Sequence, residues 1–214
     1  MSYKTLILID NSSELTGLNQ EIVKETARYI IENIGSDNKT AIAVTGEKAE
    51  YLTDFDDSLN TQLKTIDSIK FTDINAPGTD VLMEVILDWE KGDLAYRNIV
   101  YISARDIGSE GDYSSEELLF EVNDKEYPSY TVSCVQNENV KAVKGLATLS
   151  RISGGIGIST EDALSDASVE KQLGDRLLDA MEIYRSTEEV QYEEALGAGG
   201  GNNAAAGTLS ADDY

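Results

Sequence analysis

The sequence predicts an α/β fold: a doubly wound, mostly parallel sheet covered by helices on both faces. Short runs that are apolar throughout, such as Leu6 to Ile9 and Ile99 to Ile102, recur along the chain. A strand without alternation is one buried on both sides, as in parallel sheets. Stretches with helical periodicity separate these runs, which is the pattern of βαβ units. Only Thr40 to Phe55 breaks the alternation, by placing two strands in succession as a hairpin.

The first strand is Thr5 to Ile9, closed by Asp10 and followed by Asn11-Ser12-Ser13-Glu14. Ile22, Val23, Thr26, Ala27, Ile30, Ile31 and Ile34 then form one wide helical stripe, with Gly17 before it and Gly35 after it. Thr40 to Thr45 predicts the second strand and Ala49 to Phe55 the third. Leu59, Leu63, Ile66 and Ile69 mark a short helix. The Pro77-Gly78 turn leads through Thr79 into a helix whose apolar face is Val81, Leu82, Val85, Ile86 and Trp89.

Asn98 to Ala104 is the fourth strand. Ser114 with Glu117 reads as a capping box, with Tyr113 and Leu118 as its hydrophobic staple. Tyr130 to Val135 predicts a fifth strand, Val140 to Ser153 a helix closed by Gly154-Gly155, and Ile156 to Ser159 a sixth strand. Val169, Leu173, Leu177, Met181 and Tyr184 make the last helix. The domain therefore spans residues 1–187. Residues 188–214 read as an acidic and then Gly/Ala/Asn-rich flexible tail, which cannot bury a core of its own.

Composition narrows the function classes. A formal charge of −23, from 17 Lys+Arg against 40 Asp+Glu, excludes nucleic acid and anionic membrane surfaces as natural partners. It favours divalent cations and basic protein surfaces. The chain has no histidine, which removes Ser-His-Asp and Cys-His nucleophiles and His-ligated zinc together. Cys134 is the one cysteine, so no disulfide forms within the chain. It falls in an apolar strand and reads as a small core residue. No run of 18 apolar residues occurs, and the apolar run after Met1 is too short for a secretory leader. These features place the protein in the cytoplasm, in a bacterial setting. An extracellular location stays open if the natural chain starts earlier.

In doubly wound sheets, ligands bind at the carboxyl ends of the strands, where the strand order reverses. If the first and fourth strands are neighbours there, Asp10, Ser12, Glu14, Ser103 and Asp106 gather at one crevice with the Thr79 loop beside it. Carboxylates and hydroxyls without nitrogen or sulfur donors suit Mg²⁺ or Mn²⁺. Each residue also has a plainer role: Ser12 and Thr79 could cap helices, and Asp106 could sit solvated in its acidic loop. Asp10 is harder to explain that way, because an acid closing a buried run is costly without donors or a cation.

The order Asp10-x-Ser12-x-Glu14, Gly78-Thr79-Asp80 at a helix start, Ile99 to Ser103, Tyr130 to Ser133 and Leu149 to Gly155 resembles the von Willebrand factor type A domain over about residues 3–185. The resemblance implies a Rossmann-like six-stranded sheet in the order 3-2-1-4-5-6, with the third strand antiparallel. It also implies a metal ion-dependent adhesion site. Asp10, Ser12 and Thr79 match that site's pattern. Glu14 stands where a second serine is expected, and the usual Thr-Asp-Gly after the fourth strand reads Ser103-Ala104-Arg105, which leaves Asp106 as the substitute for the fifth ligand. The expected metal ligands are thus Asp10, Ser12, Glu14, Thr79 and Asp106.

The resemblance further implies a non-catalytic module for adhesion or complex assembly that docks a protein partner at the top of the sheet, with or without the cation. The competing readings are a scaffold whose metal site has decayed, and a metal-assisted hydrolase using Asp10 and Glu14. Nucleotide chemistry is poorly supported, since Asn11 to Gly17 keeps only the last glycine of Gly-x-Gly-x-x-Gly. A phosphatase of the haloacid dehalogenase type would want an aspartate at Ser12.

Overall fold

A computed structural model describes residues 3–12, 17–72, 78–89, 96–103, 111–125, 127–133, 140–160, 163 and 168–200, with backbone alone for residues 18, 96, 140–143 and 188–200. Glu14, Asp106 and Cys134, all singled out in the sequence, lie outside the described residues.

Six strands form one sheet: β1 (Tyr3–Ile9), β2 (Asn38–Val44), β3 (Glu50–Tyr51), β4 (Tyr96–Ser103), β5 (Ser129–Ser133) and β6 (Gly157–Ser159). Their order is β3-β2-β1-β4-β5-β6. Every pairing is parallel except β2 with β3. This is the expected topology, antiparallel third strand included. The helices are α1 (Gly17–Asn33), α2 (Leu59–Ser68), α3 (Gly78–Trp89), α4 (Ser115–Lys125), α5 (Val140–Ile152) and α6 (Val169–Gly200).

β1 lies at the centre, and its alternate side chains feed two cores. Ile7 and Ile9 join Val23, Ala27 and Ile30 of α1, Ile66 of α2 and Leu173 and Leu177 of α6. Leu6 and Leu8 join Val81, Val85 and Ile86 of α3, Leu118 of α4 and Leu146 and Leu149 of α5. All four of these β1 side chains are fully buried. Such burial is worth roughly 1.5–3 kcal/mol for each side chain. This two-sided demand is why the strand reads as a continuous apolar run.

Local chemistry ends the elements. Gly35 takes φ +90° after α1 and Gly154 φ +86° after α5, a backbone region that glycine enters without penalty. The Ser114 to Glu117 capping box forms as expected. The Ser114 N–H and Oγ both donate to Glu117 Oε2 at 2.8 Å, and the Glu117 N–H donates to Ser114 Oγ at 3.2 Å.

Three elements differ from the sequence reading. β3 is two residues long, because the N–H groups of Leu52 and Thr53 both turn to the Ile42 carbonyl while Thr53 Oγ1 accepts the Ile42 N–H. A side chain thus takes a ladder position and the strand stops. In α2, Gln62 is buried while Leu59 is 48% exposed, since Gln62 satisfies its amide on the Thr40 hydroxyl and carbonyl. Finally, the α6 backbone continues to Gly200, first through a stretch with four glutamates, which favour helix, and then past Gly197 and Gly199, which do not.

Candidate functional site

The register fixes where the polar residues arrive. Ile9 of β1 pairs with Val44 of β2 and with Ile102 of β4. The residues just past these positions, Asp10, Thr45 and Ser103, therefore stand side by side at the carboxyl end of the sheet. Backbone bonds hold them there: the Asp10 N–H donates to the Ile102 carbonyl at 2.8 Å, and the Thr45 N–H to the Ile9 carbonyl at 2.9 Å.

Asp10 has no exposed surface. Ser103 Oγ donates to its Oδ2 at 2.9 Å and Thr45 Oγ1 to its Oδ1 at 3.3 Å. Thr45 Oγ1 in turn accepts the Asn11 N–H at 2.9 Å. These bonds orient the carboxylate from both flanking strands. Burying a carboxylate is costly unless donors meet it, and these hydroxyls are among the groups that do.

The next step ties in the approach to α3. The Thr72 N–H donates to the Asn11 carbonyl at 3.0 Å, and Asn11 Nδ2 to Thr72 Oγ1 at 3.2 Å. The chain that leads to Thr79 thus starts against the exit of β1. On the far side, Asp80 accepts the backbone N–H groups of Asp112 and Tyr113, in the connection from β4 to α4. Asp80 thus ties the first turn of α3 to the segment that enters α4.

Two hydroxyls in this region stand out. Ser12 Oγ and Thr79 Oγ1 are buried, on residues 2% and 0% exposed, and neither has a hydrogen-bond partner. Among the described residues neither hydroxyl makes the bond that a cap would make. Buried hydroxyls without partners cost about 1–3 kcal/mol each, and natural structures hold few of them. An oxygen-seeking ligand would satisfy both. Like the Asp10 carboxylate, they offer oxygen, the donor that hard divalent cations such as Mg²⁺ or Mn²⁺ take. Among the described residues no three acidic, histidine or cysteine side chains cluster to hold a metal.

The sequence placed Asp10, Ser12, Ser103 and Thr79 at this end of the sheet, and the structure puts Asp10, Ser12 and Ser103 at or just past the strand ends and Thr79 in the first turn of α3. It also adds Thr45 and Asn11. Thr45 had a visible signal, as the first polar residue after the neighbouring apolar run, but its bond to Asp10 crosses 35 residues and nothing local announces it.

Solved structures share this architecture. A von Willebrand factor type A protein from Catenulispora acidiphila superposes with a TM-score of 0.65 at 11% identity, over 84% of this chain and 43% of that one. The chain has a von Willebrand factor A-like fold. BatB from Bacteroides thetaiotaomicron matches this fold with a TM-score of 0.61 at 11% identity, over 85% of this chain and 100% of that one. The SpRpn10 VWA domain matches with 0.59 at 15%, over 82% and 95%. No family model and no curated protein matches the sequence. The von Willebrand factor A-like body here accounts for less than half of the Catenulispora protein's length. Among the described residues no helix is long and apolar enough to cross a membrane.

Proposed function

We propose that this protein is a binding module that docks a protein partner at the carboxyl end of its sheet through a divalent cation, Mg²⁺ or Mn²⁺. The observation that carries the reading is the pair of buried hydroxyls at Ser12 and Thr79 that lack a hydrogen-bond partner among the described residues, taken with the oriented Asp10 carboxylate. Asp10, Ser12 and Thr79 would hold the ion, with Glu14 and Asp106 as the acidic complement proposed from the sequence. The bound ion would supply a positive Lewis-acid centre for an oxygen-bearing partner group. By fold analogy alone, the likeness to mussel proximal thread matrix protein 1 supports a matrix or interaction role. So does the lack of histidine, which removes the commonest general base. The net charge of −23 favours a partner with a basic surface around the contact.

One observation favours a scaffold instead: Ser103 and Thr45 already bond both oxygens of Asp10. A single experiment separates the two readings. Melting curves in Mg²⁺, Mn²⁺, Ca²⁺ and EDTA are recorded for wild type and Asp10→Ala, since a ligand that binds only the folded state raises its stability. The module reading predicts a cation-induced rise that Asp10→Ala abolishes. The scaffold reading predicts one melting temperature in all four conditions. Capture of a partner from the source cells in Mg²⁺ but not in EDTA would extend the result to function.

A further inference from the structure

Asp80 follows Thr79 in the first turn of α3, and its carboxylate points to the chain that enters α4. Oδ2 accepts the Asp112 N–H and Oδ1 the Tyr113 N–H, both at 3.0 Å. Gly111 passes so close that a Cβ there would lie 2.0 Å from Oδ2 and 2.3 Å from Cγ. With no side chain at Gly111 the carboxylate can lie against the backbone here, so the two form a matched clamp that a methyl group would displace.

The clamped segment is itself anchored. Tyr113 packs on the core beside buried Leu118, and Ser114 starts the capping box of α4. The helix turn on the other side of the clamp needs such an anchor. The first four N–H groups of a helix have no intrahelical acceptor, so a first turn frays unless something outside holds it. This turn carries Thr79, whose buried hydroxyl has no partner to keep it in place.

We propose that Asp80 is a positioning residue: by clamping Gly111 to Tyr113 it fixes the first turn of α3 and, through it, the direction of the Thr79 hydroxyl. Each Asp80 oxygen accepts one clamp bond, and the residue is assigned the clamp and no place among the ion's ligands. The consequence for cation binding rests on the function proposed above, whereas the clamp is measurable without any cation.

The test compares the full chain with Asp80→Asn and with Gly111→Ala. Asp80→Asn turns an amide group toward one N–H donor, and Gly111→Ala drives a methyl group into the carboxylate. Amide hydrogen exchange is read in EDTA at Leu82 and Met83, whose N–H groups bond back to the carbonyls of Gly78 and Thr79 in the helical pattern. Both variants should speed exchange there by about tenfold or more, as expected for loss of a charge-assisted hydrogen bond, with amides near Trp89 unchanged. Calorimetric Mn²⁺ affinity should fall about 10- to 100-fold, as when the support of a metal ligand is removed. In a Thr79→Val background, Asp80→Asn should add no further loss. Unchanged exchange at Leu82 and Met83, or a uniform increase along all of α3, overturns the positioning role. An Asp80→Asn loss that persists in Thr79→Val also overturns it. If wild type takes up no Mn²⁺, the cation reading fails, and the exchange data still decide the clamp.

Discussion

Thr79→Val should raise the melting temperature of the cation-free protein and lower that of the Mg²⁺-loaded protein relative to wild type. Valine keeps the branched shape and removes a hydroxyl that is fully buried and unpartnered. Leaving such a group unsatisfied costs about 1–3 kcal/mol. A chain of this size shifts by roughly 2–4 °C per kcal/mol, so the variant should melt at least about 2 °C higher in EDTA. Magnesium at 1,000 times its dissociation constant adds about 4.1 kcal/mol to wild type, or roughly 8–16 °C. The variant, short of one ligand, gains much less, so the ranking reverses. Differential scanning calorimetry in EDTA and in saturating Mg²⁺ reads both numbers. A variant that melts below wild type in EDTA would show that the hydroxyl has a stabilising partner. One that gains as much from Mg²⁺ as wild type would remove Thr79 from the ligand set.

Other positions test the fold around the site. Tyr130 carries a buried hydroxyl without a hydrogen-bond partner, and burial pushes its pKa up; Tyr130→Phe should be neutral or stabilising by up to about 1 kcal/mol in urea titration. Gly155 sits where a Cβ would lie 2.1 Å from the Ser129 carbonyl oxygen, so Gly155→Ala should cost roughly 1–3 kcal/mol through displaced backbone, read in the same way. At α4, the Ser114 N–H and then its hydroxyl hold the Glu117 carboxyl below its ordinary range. A lowered carboxyl pKa stabilises the fold above the ordinary value of about 4.3 and loses that effect as pH falls through the lowered value. Wild type should therefore exceed Glu117→Gln in stability at pH 6, and the difference should shrink toward pH 3.

Most of the architecture was readable because its cause is local. Strands buried on both faces must be apolar throughout, so Leu6 to Ile9 and Ile99 to Ile102 identify themselves, and the capping box announces α4 by spacing alone. The misread elements turn on bonds between distant residues. Gln62 replaces Leu59 inside because Thr40 waits for it 22 positions away, and Thr53 shortens β3 by bonding back to Ile42. The same division runs through the site. Asp10, Ser12 and Thr79 show in the sequence as polar residues at element ends, whereas Thr45 as the second donor to Asp10, and Asp80 as a clamp on the α4 entry, exist only once the chain is folded.

The account stands or falls on whether the carboxyl end of the sheet takes up an ion through Asp10. Titration calorimetry with Mn²⁺ on wild type and on Asp10→Asn asks this directly. The substitution keeps the side chain's size and an oxygen acceptor for the flanking hydroxyls, while removing the charge that the ion requires. One ion bound per chain, lost in a folded Asp10→Asn, is the predicted result. No uptake by wild type, or equal uptake by both proteins, would contradict it.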